Sequence, residues 1–344
     1  MLSFKKIVRF SGILFLCILI ACFVFFKKVS DFSNTPMNPE SAENSQGHEK
    51  IKFDIEPGQN LSIIAYNLEK QGIIKSSFFF KILVSYKESA KALKAGEYML
   101  SPSKTPLQIL SIITKGDVKL YKLTVPEGLN IKEIAKRVEK AGFGASENFI
   151  SLAESKTFAE SLGIKQNTLE GYLFPETYFF PKDTSLKIII KKMVQAFNQA
   201  YTPKFRKRTV DMGFTIHQIV TLASIIEKET GAARERPLIS SVFHNRLRKG
   251  MRLESDPTVI YGIKDFNGNI TRKDLRTWTA YNTYKIKGLP PGPIANPGML
   301  AIKAALFPAK TEFIFFVSKR NNFHKFSKTI KEHNKAVRKY QLNR

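Results

Sequence analysis

The chain has 344 residues, of which 43% are hydrophobic and 24% charged, a composition that predicts a folded body and excludes a wholly disordered one. At roughly 100 to 200 residues per domain, that length predicts an anchor plus two or three folded units. The formal net charge of +26 implies attraction to something acidic, whether nucleic acid, anionic lipid or an anionic wall polymer, although the lysines are scattered through every segment as they are on ordinary solvated faces.

Phe10 to Phe26 (FSGILFLCILIACFVFF) carries no charge, follows Lys5, Lys6 and Arg9, and stops at Lys27 and Lys28. A run of that length sits at the lower limit for crossing a hydrocarbon core about 30 Å thick, and no small-x-small cleavage site precedes the lysines, so a single uncleaved span is expected. Leu19-Ile20-Ala21-Cys22 resembles a lipoprotein processing site, but Phe23 to Phe26 would be an odd start for a mature lipoprotein. Basic residues beside a span resist translocation, which predicts that residues 1–30 form a cytoplasmic tip and an anchor in the cytoplasmic membrane, with the body on the outer side. Both cysteines, Cys17 and Cys22, lie in this run, so the body has no disulfide, no cysteine nucleophile and no thiolate metal site. No His-x-x-x-His pair occurs among the five histidines, so neither a metal nor another cofactor is expected.

Asp31 to Lys50 is polar, contains two prolines and has no apolar period, which predicts a flexible tether over 31–50. Two stretches then repeat at an offset of seventy positions, FDIEPGQNLSIIAYNLEKQGI from Phe53 and LTVPEGLNIKEIAKRVEKAGF from Leu123. Each reads as a short strand, a glycine turn and a helix, with apolar residues at Leu61, Ile64, Ala65 and Leu68 or at Ile131, Ile134, Ala135 and Val138. Between them, Ser76 to Tyr86 predicts a helix, Gly96 to Leu100 a strand, and Pro106 to Thr114 a helix closed by Gly116. Segment 51–117 resembles a LysM-like domain, a small α/β fold associated with binding N-acetylglucosamine-containing glycans. The expected class is α+β: a transmembrane helix, this small domain, and a mixed α/β domain over 118–344 that includes the second module at 120–143.

Further on, LEGYLFPETYFFP crowds aromatics and prolines around Glu170, which suits either core plus rigid loop or a saccharide cleft. Thr215 to Thr230 predicts a helix opened by a Thr215/Gln218 capping box, apolar on nearly every face and therefore buried. It ends with Glu227 and Glu229, which point about 160° apart at 100° per residue. Carboxylates at the end of a buried helix are costly unless they are paired or functional, and Lys228, Arg234 and Arg236 stand ready as partners. Past Gly250, MRLESDPTVIYGI and TAYNTYKIKGLPPGPIANPG form loops longer than ordinary connections, of the kind that shapes sites.

Five segments resemble the signature segments of the YceG-like family of endolytic murein transglycosylases: LASIIEKET, SVFHNRLRKGMRLESDPTVIYG, YNTYKIKGLPPGPIANPG, ALFPAKTEFIFFVS and HKFSKTIKEHNKAV. With the anchor and the LysM-like region, the likeness covers nearly the whole chain. It implies a lytic enzyme that cuts the bond between N-acetylmuramic acid and N-acetylglucosamine in nascent peptidoglycan strands, leaves 1,6-anhydro ends and so terminates elongation. Such an enzyme needs one carboxyl, acid first and base second, where ordinary glycosidases need two. The second Glu of Glu-Lys-Glu-Thr, Glu229, is the implied catalytic residue, while Glu227 is the structural or alternative one; helix geometry alone leaves the choice open. Tyr281, Asn282 and Tyr284, with Glu170 and Asp256, are the candidates for positioning the sugar, because amides, phenols and carboxylates bond hydroxyl and acetamido groups. The expected partners are peptidoglycan strands, the cytoplasmic membrane and penicillin-binding proteins or other synthases, and no nucleic acid. The rival readings are a membrane-tethered, non-enzymatic wall-binding scaffold, which has no use for Glu227 and Glu229 at a buried helix end, and a serine enzyme built on Ser101-Pro-Ser-Lys104, which lacks an accompanying Lys-Thr-Gly.

Overall fold

The computed structural model describes residues 4–39, 50–264, 266–321 and 323–342; half of the expected tether, 40–49, and the first three residues of the expected cytoplasmic tip lie outside the described residues. The chain divides into two compact units, Met1–Tyr121 with Pro181–Asp183, and Lys122–Phe180 with Thr184–Arg344. Helices and short strands mix in an α+β arrangement in which the strands pair two by two.

In the first unit, helix α1 (Phe4–Asn34) contains the stretch Gly12–Asn34, which is long and apolar enough to cross a membrane. The helix runs past the lysine pair into Asp31–Asn34, which sequence assigned to the tether. The reason is tertiary. Phe32 joins the core cluster of this unit, its ring 5.7 Å from that of Phe79, and Val29 is buried beside it. Ser33 and Asn34 bond back to the carbonyls of Val29 and Ser30, so the last turn stays closed.

Strand β1 (Ile51–Ile55) pairs antiparallel with β2 (Gly96–Leu100), setting Phe53 opposite Tyr98 and Ile51 opposite Leu100. Phe53 and Ile55 alternate inward, as a half-buried strand requires. Between the strands lie α2 (Leu61–Lys70) and α3 (Ser77–Tyr86), and α4 (Pro106–Lys115) follows β2. Their apolar stripes, including Ile64, Leu68, Phe80, Leu83 and Ile109, close one core with the strands.

The seventy-residue repeat folds alike in both copies. Strand β3 (Tyr121–Thr124) leads to α5 (Ile131–Lys140) as β1 leads to α2, with Asn60 and Asn130 as matching N-caps and Gly58 and Gly128 in matching left-handed turns. Their surroundings differ, because β1 pairs with β2 whereas β3 pairs with β4 (Thr177–Phe180).

The second unit continues through α6 (Ser146–Ala153), α7 (Lys156–Ser161), α8 (Leu186–Ala200) and α9 (Pro203–Asp211) to α10 (Ile216–Glu229). Helix α10 opens with the expected capping box and is buried without interruption from Ile219 to Ile226. It packs against α11 (Arg236–Arg248) and α14 (Met299–Leu306), which bury it on several sides. Short helices α12 (Asp256–Gly262) and α13 (Arg272–Arg276) stud the long loops; hairpin β5 (Phe315–Ser318) and β6 (His324–Ser327) then leads to α15 (Ile330–Val337).

Gly171 shows how closely the loop at 169–174 approaches α10. Its φ is +87°, and a Cβ there would lie 2.5 Å from Cγ of Pro293 and 2.7 Å from Cγ1 of Val220. A left-handed backbone costs a residue with a Cβ about 1–2 kcal/mol, and overpacking costs about 1–3 kcal/mol more. Gly171→Ala is therefore expected to lose about 2–5 kcal/mol in urea denaturation, whereas Gly163→Ala, at φ +81° with nothing near the new Cβ, should lose only the backbone part. Equal losses would contradict the close approach.

Candidate functional site

The last turn of α10 carries both glutamates, and the structure treats them in opposite ways. Glu227 has both oxygens engaged: Oε1 accepts from Nη2 of Arg236 at 2.7 Å, and Oε2 accepts from the backbone N–H of Gly298 at 2.9 Å. Arg236 is itself buried at the start of α11, so this is a desolvated ion pair tying α10, α11 and the head of α14 together. Among the described residues Glu229 has no cationic partner. Its Oε1 accepts a short 2.5 Å bond from the hydroxyl of Ser255, while Oε2 has no partner among the described residues and is not sealed from solvent. Glu229 lines a cleft of about 660 Å³ with Thr230, Gly231, Ala232, Arg320, Phe323 and His324 among its walls.

Burial around the carboxyl pushes Glu229 up to about 7; the Ser255 hydroxyl opposes that rise, the negative charge of Asp256 adds to it, and Arg246 opposes it. An acid of that strength is half protonated near neutrality. It is able to give a proton and then to take one.

Ser255 is held in place from both sides. Its N–H donates to Oγ1 of Thr283 at 2.9 Å, and its carbonyl accepts from the hydroxyl of Thr258 at 2.7 Å. The hydroxyls of Thr258 and Thr283 are 2.8 Å apart, and all three residues are buried. Buried Arg246 reinforces the same loop by donating to the carbonyls of Arg252 and Leu253 and pairing with Glu254 at 2.9 Å.

The five residues expected to touch sugar do not converge. Tyr284 and Asp256 stand near Glu229, bonded to each other at 2.7 Å; the charge of Asp256 raises the Glu229 carboxyl, and burial with the neighbouring carboxylates keeps the Tyr284 phenol protonated. Glu170 and Tyr281 belong to a different place. Buried Glu170 accepts from the N–H of Ile131 at 3.1 Å, from Nδ2 of Asn296 at 2.9 Å and from the hydroxyl of Tyr261 at 3.2 Å; the Tyr261 ring lies tilted at 54° against that of Tyr281 with centroids 4.8 Å apart. Burial pushes Glu170 up to about 7 as well, with the Ile131 N–H and the Tyr261 hydroxyl opposing. With both oxygens engaged, this carboxyl braces loops.

Asn282 is fully buried, which removes it from direct sugar contact. Its Nδ2 donates to the carbonyls of Asp274, Leu275 and Thr277, and its Oδ1 accepts from the N–H of Tyr284. It shapes the loop that presents Tyr284.

The proline-rich loop after it is pinned group by group. His217 bonds the carbonyl of Pro291 at 2.9 Å, Ser224 accepts the N–H of Ile294 at 3.0 Å, and Asn296 joins Leu129, Leu173 and Glu170. Sequence reading missed Ser255, Asn296 and His324, although all three stand inside segments singled out there. What marks them is a partner 26, 126 or 89 positions away, which no local pattern reveals.

A model of the YceG-like family matches residues 53–339, and the chain belongs to that family. It is 37% identical over 306 residues to a protein of Bacillus subtilis strain 168 named endolytic murein transglycosylase, covering 84% of each chain. A protein of the same name from Streptococcus pneumoniae serotype 2 strain D39 is 32% identical over 299 residues, covering 78% of this chain and 54% of that one. Among solved structures, a YceG-like protein from Listeria monocytogenes superposes with a TM-score of 0.59 at 36% identity, covering 84% of this chain and 99% of that chain.

The two glutamates should respond oppositely to neutralisation. Glu227→Gln leaves buried Arg236 with only the half-exposed Glu127, 3.7 Å away, as a charge partner; breaking a buried pair costs about 3–5 kcal/mol, and with Glu127 still present the loss should lie at the low end of that range. Glu229 has a folded-state pKa of about 7 against an ordinary 4.5, so its contribution to stability is complete below the ordinary value and is lost as pH rises through 7. Glu229→Gln is thus expected to melt no lower than wild type at pH 8 and to reduce the fall in stability between pH 5 and 8, with Glu170 supplying the remainder of that fall. Thermal melts across this range check both; a Glu229→Gln variant that loses stability at pH 8 would contradict the unpaired carboxyl.

Proposed function

We propose that this chain is a membrane-anchored lytic transglycosylase of peptidoglycan, in which Glu229 is the single acid and base. The observation that carries the reading is the contrast at the end of α10: Glu227 is locked by Arg236 and Gly298, while Glu229 keeps one oxygen free on a cleft and a carboxyl raised to about 7. Family membership and the names of its relatives support the substrate class.

In this mechanism neutral Glu229 donates its proton to the glycosidic oxygen between N-acetylmuramic acid and N-acetylglucosamine. The carboxylate so formed takes the proton of the muramic acid 6-hydroxyl as that oxygen closes on the anomeric carbon, giving the 1,6-anhydro end and restoring neutral Glu229. No second carboxyl or water is consumed, in contrast to hydrolysing glycosidases. Ser255 orients the carboxyl through Oε1 and leaves Oε2 to the substrate. Tyr284 and Asp256 offer hydroxyl and carboxylate groups beside it for saccharide hydroxyls.

The first unit is proposed as a LysM-like glycan-holding domain, supported by its compact strand-helix-helix-strand order and its sequence pattern. Helix α1 is proposed as the anchor in the cytoplasmic membrane with the body on the outer side, where nascent strands and their synthases are found.

Glu229→Gln keeps the shape but neither gives nor takes the proton. A positioned acid or base contributes about 10² to 10⁴ in rate, and here one residue serves both steps, so the loss should reach the upper end. Digestion of purified peptidoglycan with mass analysis of the products checks this, and reducing rather than anhydro ends would refute the mechanism. Ser255→Ala removes the bond that holds the Glu229 pKa down, so the value should rise further. Because the protonated form starts the reaction, the alkaline fall in rate should move to higher pH, with the peak rate lower by no more than about tenfold for one neutral hydrogen bond. A pH–rate profile that leaves the alkaline limb unmoved would count against Ser255 as the tuning group.

A further inference from the structure

The wall of the cleft facing Glu229 carries a second pair of groups that the one-carboxyl mechanism leaves unused. Glu235 closes the 3₁₀ turn Ala233–Glu235 ahead of α11 and is buried. Its carboxylate grips the first residue of β6 twice: both oxygens accept from the backbone N–H of His324 at 3.1 Å, and Oε2 accepts from the ring Nδ1 at 2.8 Å. The edge of the Phe316 ring stands against the imidazole with centroids 5.4 Å apart and planes at 89°. The ring therefore has one orientation.

With Nδ1 donating to Glu235, a neutral imidazole presents a lone pair at Nε2. That atom has no partner among the described residues and is not sealed from solvent, and His324 lines the same cleft as Glu229. Beside it Phe323 is fixed by the guanidinium of Arg234, 4.0 Å over its ring, so the wall offers a braced aromatic ring and one directed acceptor. A saccharide ring has matching needs: hydroxyl donors at its edge and C–H bonds on its faces.

We propose that His324, held by Glu235, is a substrate-binding group of this cleft, its Nε2 accepting a hydrogen bond from a hydroxyl of the saccharide that Glu229 acts upon. The inference rests on the reading of the cleft as a glycan site, and it makes Glu235 a positioning residue that acts through His324. Nothing in local sequence joins Glu235 to His324, which are 89 positions apart.

Two substitutions separate binding from bracing. His324→Asn keeps an amide donor where Nδ1 stood and removes Nε2, while His324→Gln keeps a polar group near the Nε2 position and gives up the Nδ1 contact. Both are made in the full chain and again in the Glu229→Gln background, where affinity for peptide-free strands of alternating N-acetylglucosamine and N-acetylmuramic acid is measured without cleavage. The expected result is about tenfold weaker binding and a similarly raised KM for His324→Asn at an unchanged melting temperature, with His324→Gln retaining most of the affinity; one neutral hydrogen bond is worth about that factor. Wild-type affinity in His324→Asn would overturn the proposal. So would equal weakening in both variants together with lower melting temperatures, because the pair would then be a staple between the hairpin and the turn. Wild-type cleavage by Glu229→Gln would overturn the assignment of the acid alone; the His324 comparison is then read from the KM values of His324→Asn and His324→Gln in the otherwise wild-type chain, which do not depend on which carboxyl is the acid.

Discussion

A carboxyl that keeps its proton up to about pH 7 must be surrounded by protein and yet have no cation bonded to it, and much of the second unit is arranged around that requirement at Glu229. The charges nearby are engaged elsewhere. Arg236 is paired with Glu227, and Arg246 is taken up by Glu254 and the carbonyls of Arg252, Leu253 and Ile314. What reaches Glu229 is a neutral hydroxyl, that of Ser255, which orients the carboxyl while only partly offsetting the effect of burial. The apolar length of α10 from Ile219 to Ile226 gives the helix a rigid seat, so its last turn delivers the side chain to one place.

The long loops obey a second rule, that buried polar groups must be bonded. A loop lying against α10 cannot leave its N–H and C=O groups unpaired, and here three of them are met by particular side chains: Pro291 by His217, Ile294 by Ser224, Gly298 by Glu227. Asn282 and Asn296 do the same from within the loops, each amide acting as donor and acceptor at once. The loops can therefore be long and rigid together, as a site built on them needs. Glu170 belongs to this scaffolding, its carboxyl joining the first residue of α5, the loop of Asn296 and the phenol of Tyr261.

In the first unit the apolar N-terminal helix, which would end with its apolar run, is prolonged by packing. Val29 and Phe32 bury against the small core, and the helix runs on to Asn34. Burying an aromatic ring is worth on the order of 2 kcal/mol, ample to hold one further helical turn closed.

Much of the secondary structure was legible in the residues because its causes are local. The capping box at Thr215 and Gln218, the glycine stop at Gly116 and the seventy-residue repeat all depend on neighbours within a few positions, and all reappear as the patterns imply. The burial of α10 followed from apolar residues on every face, as did the strain of ending it with two glutamates. Helix period also set Glu227 and Glu229 on opposite sides, but it cannot say which side meets an arginine. That was decided by α11 and the head of α14, which bring Arg236 and Gly298 to Glu227 alone and leave Ser255 for Glu229. The same limit explains Asn282, whose type suits a sugar but whose burial turns it to the backbone, and His324, whose partner Glu235 is distant in the chain. Composition and period determine which residues are able to be buried or charged; only the assembled fold determines what each polar atom finds within 3 Å, because those partners are supplied by segments that no short window of sequence contains.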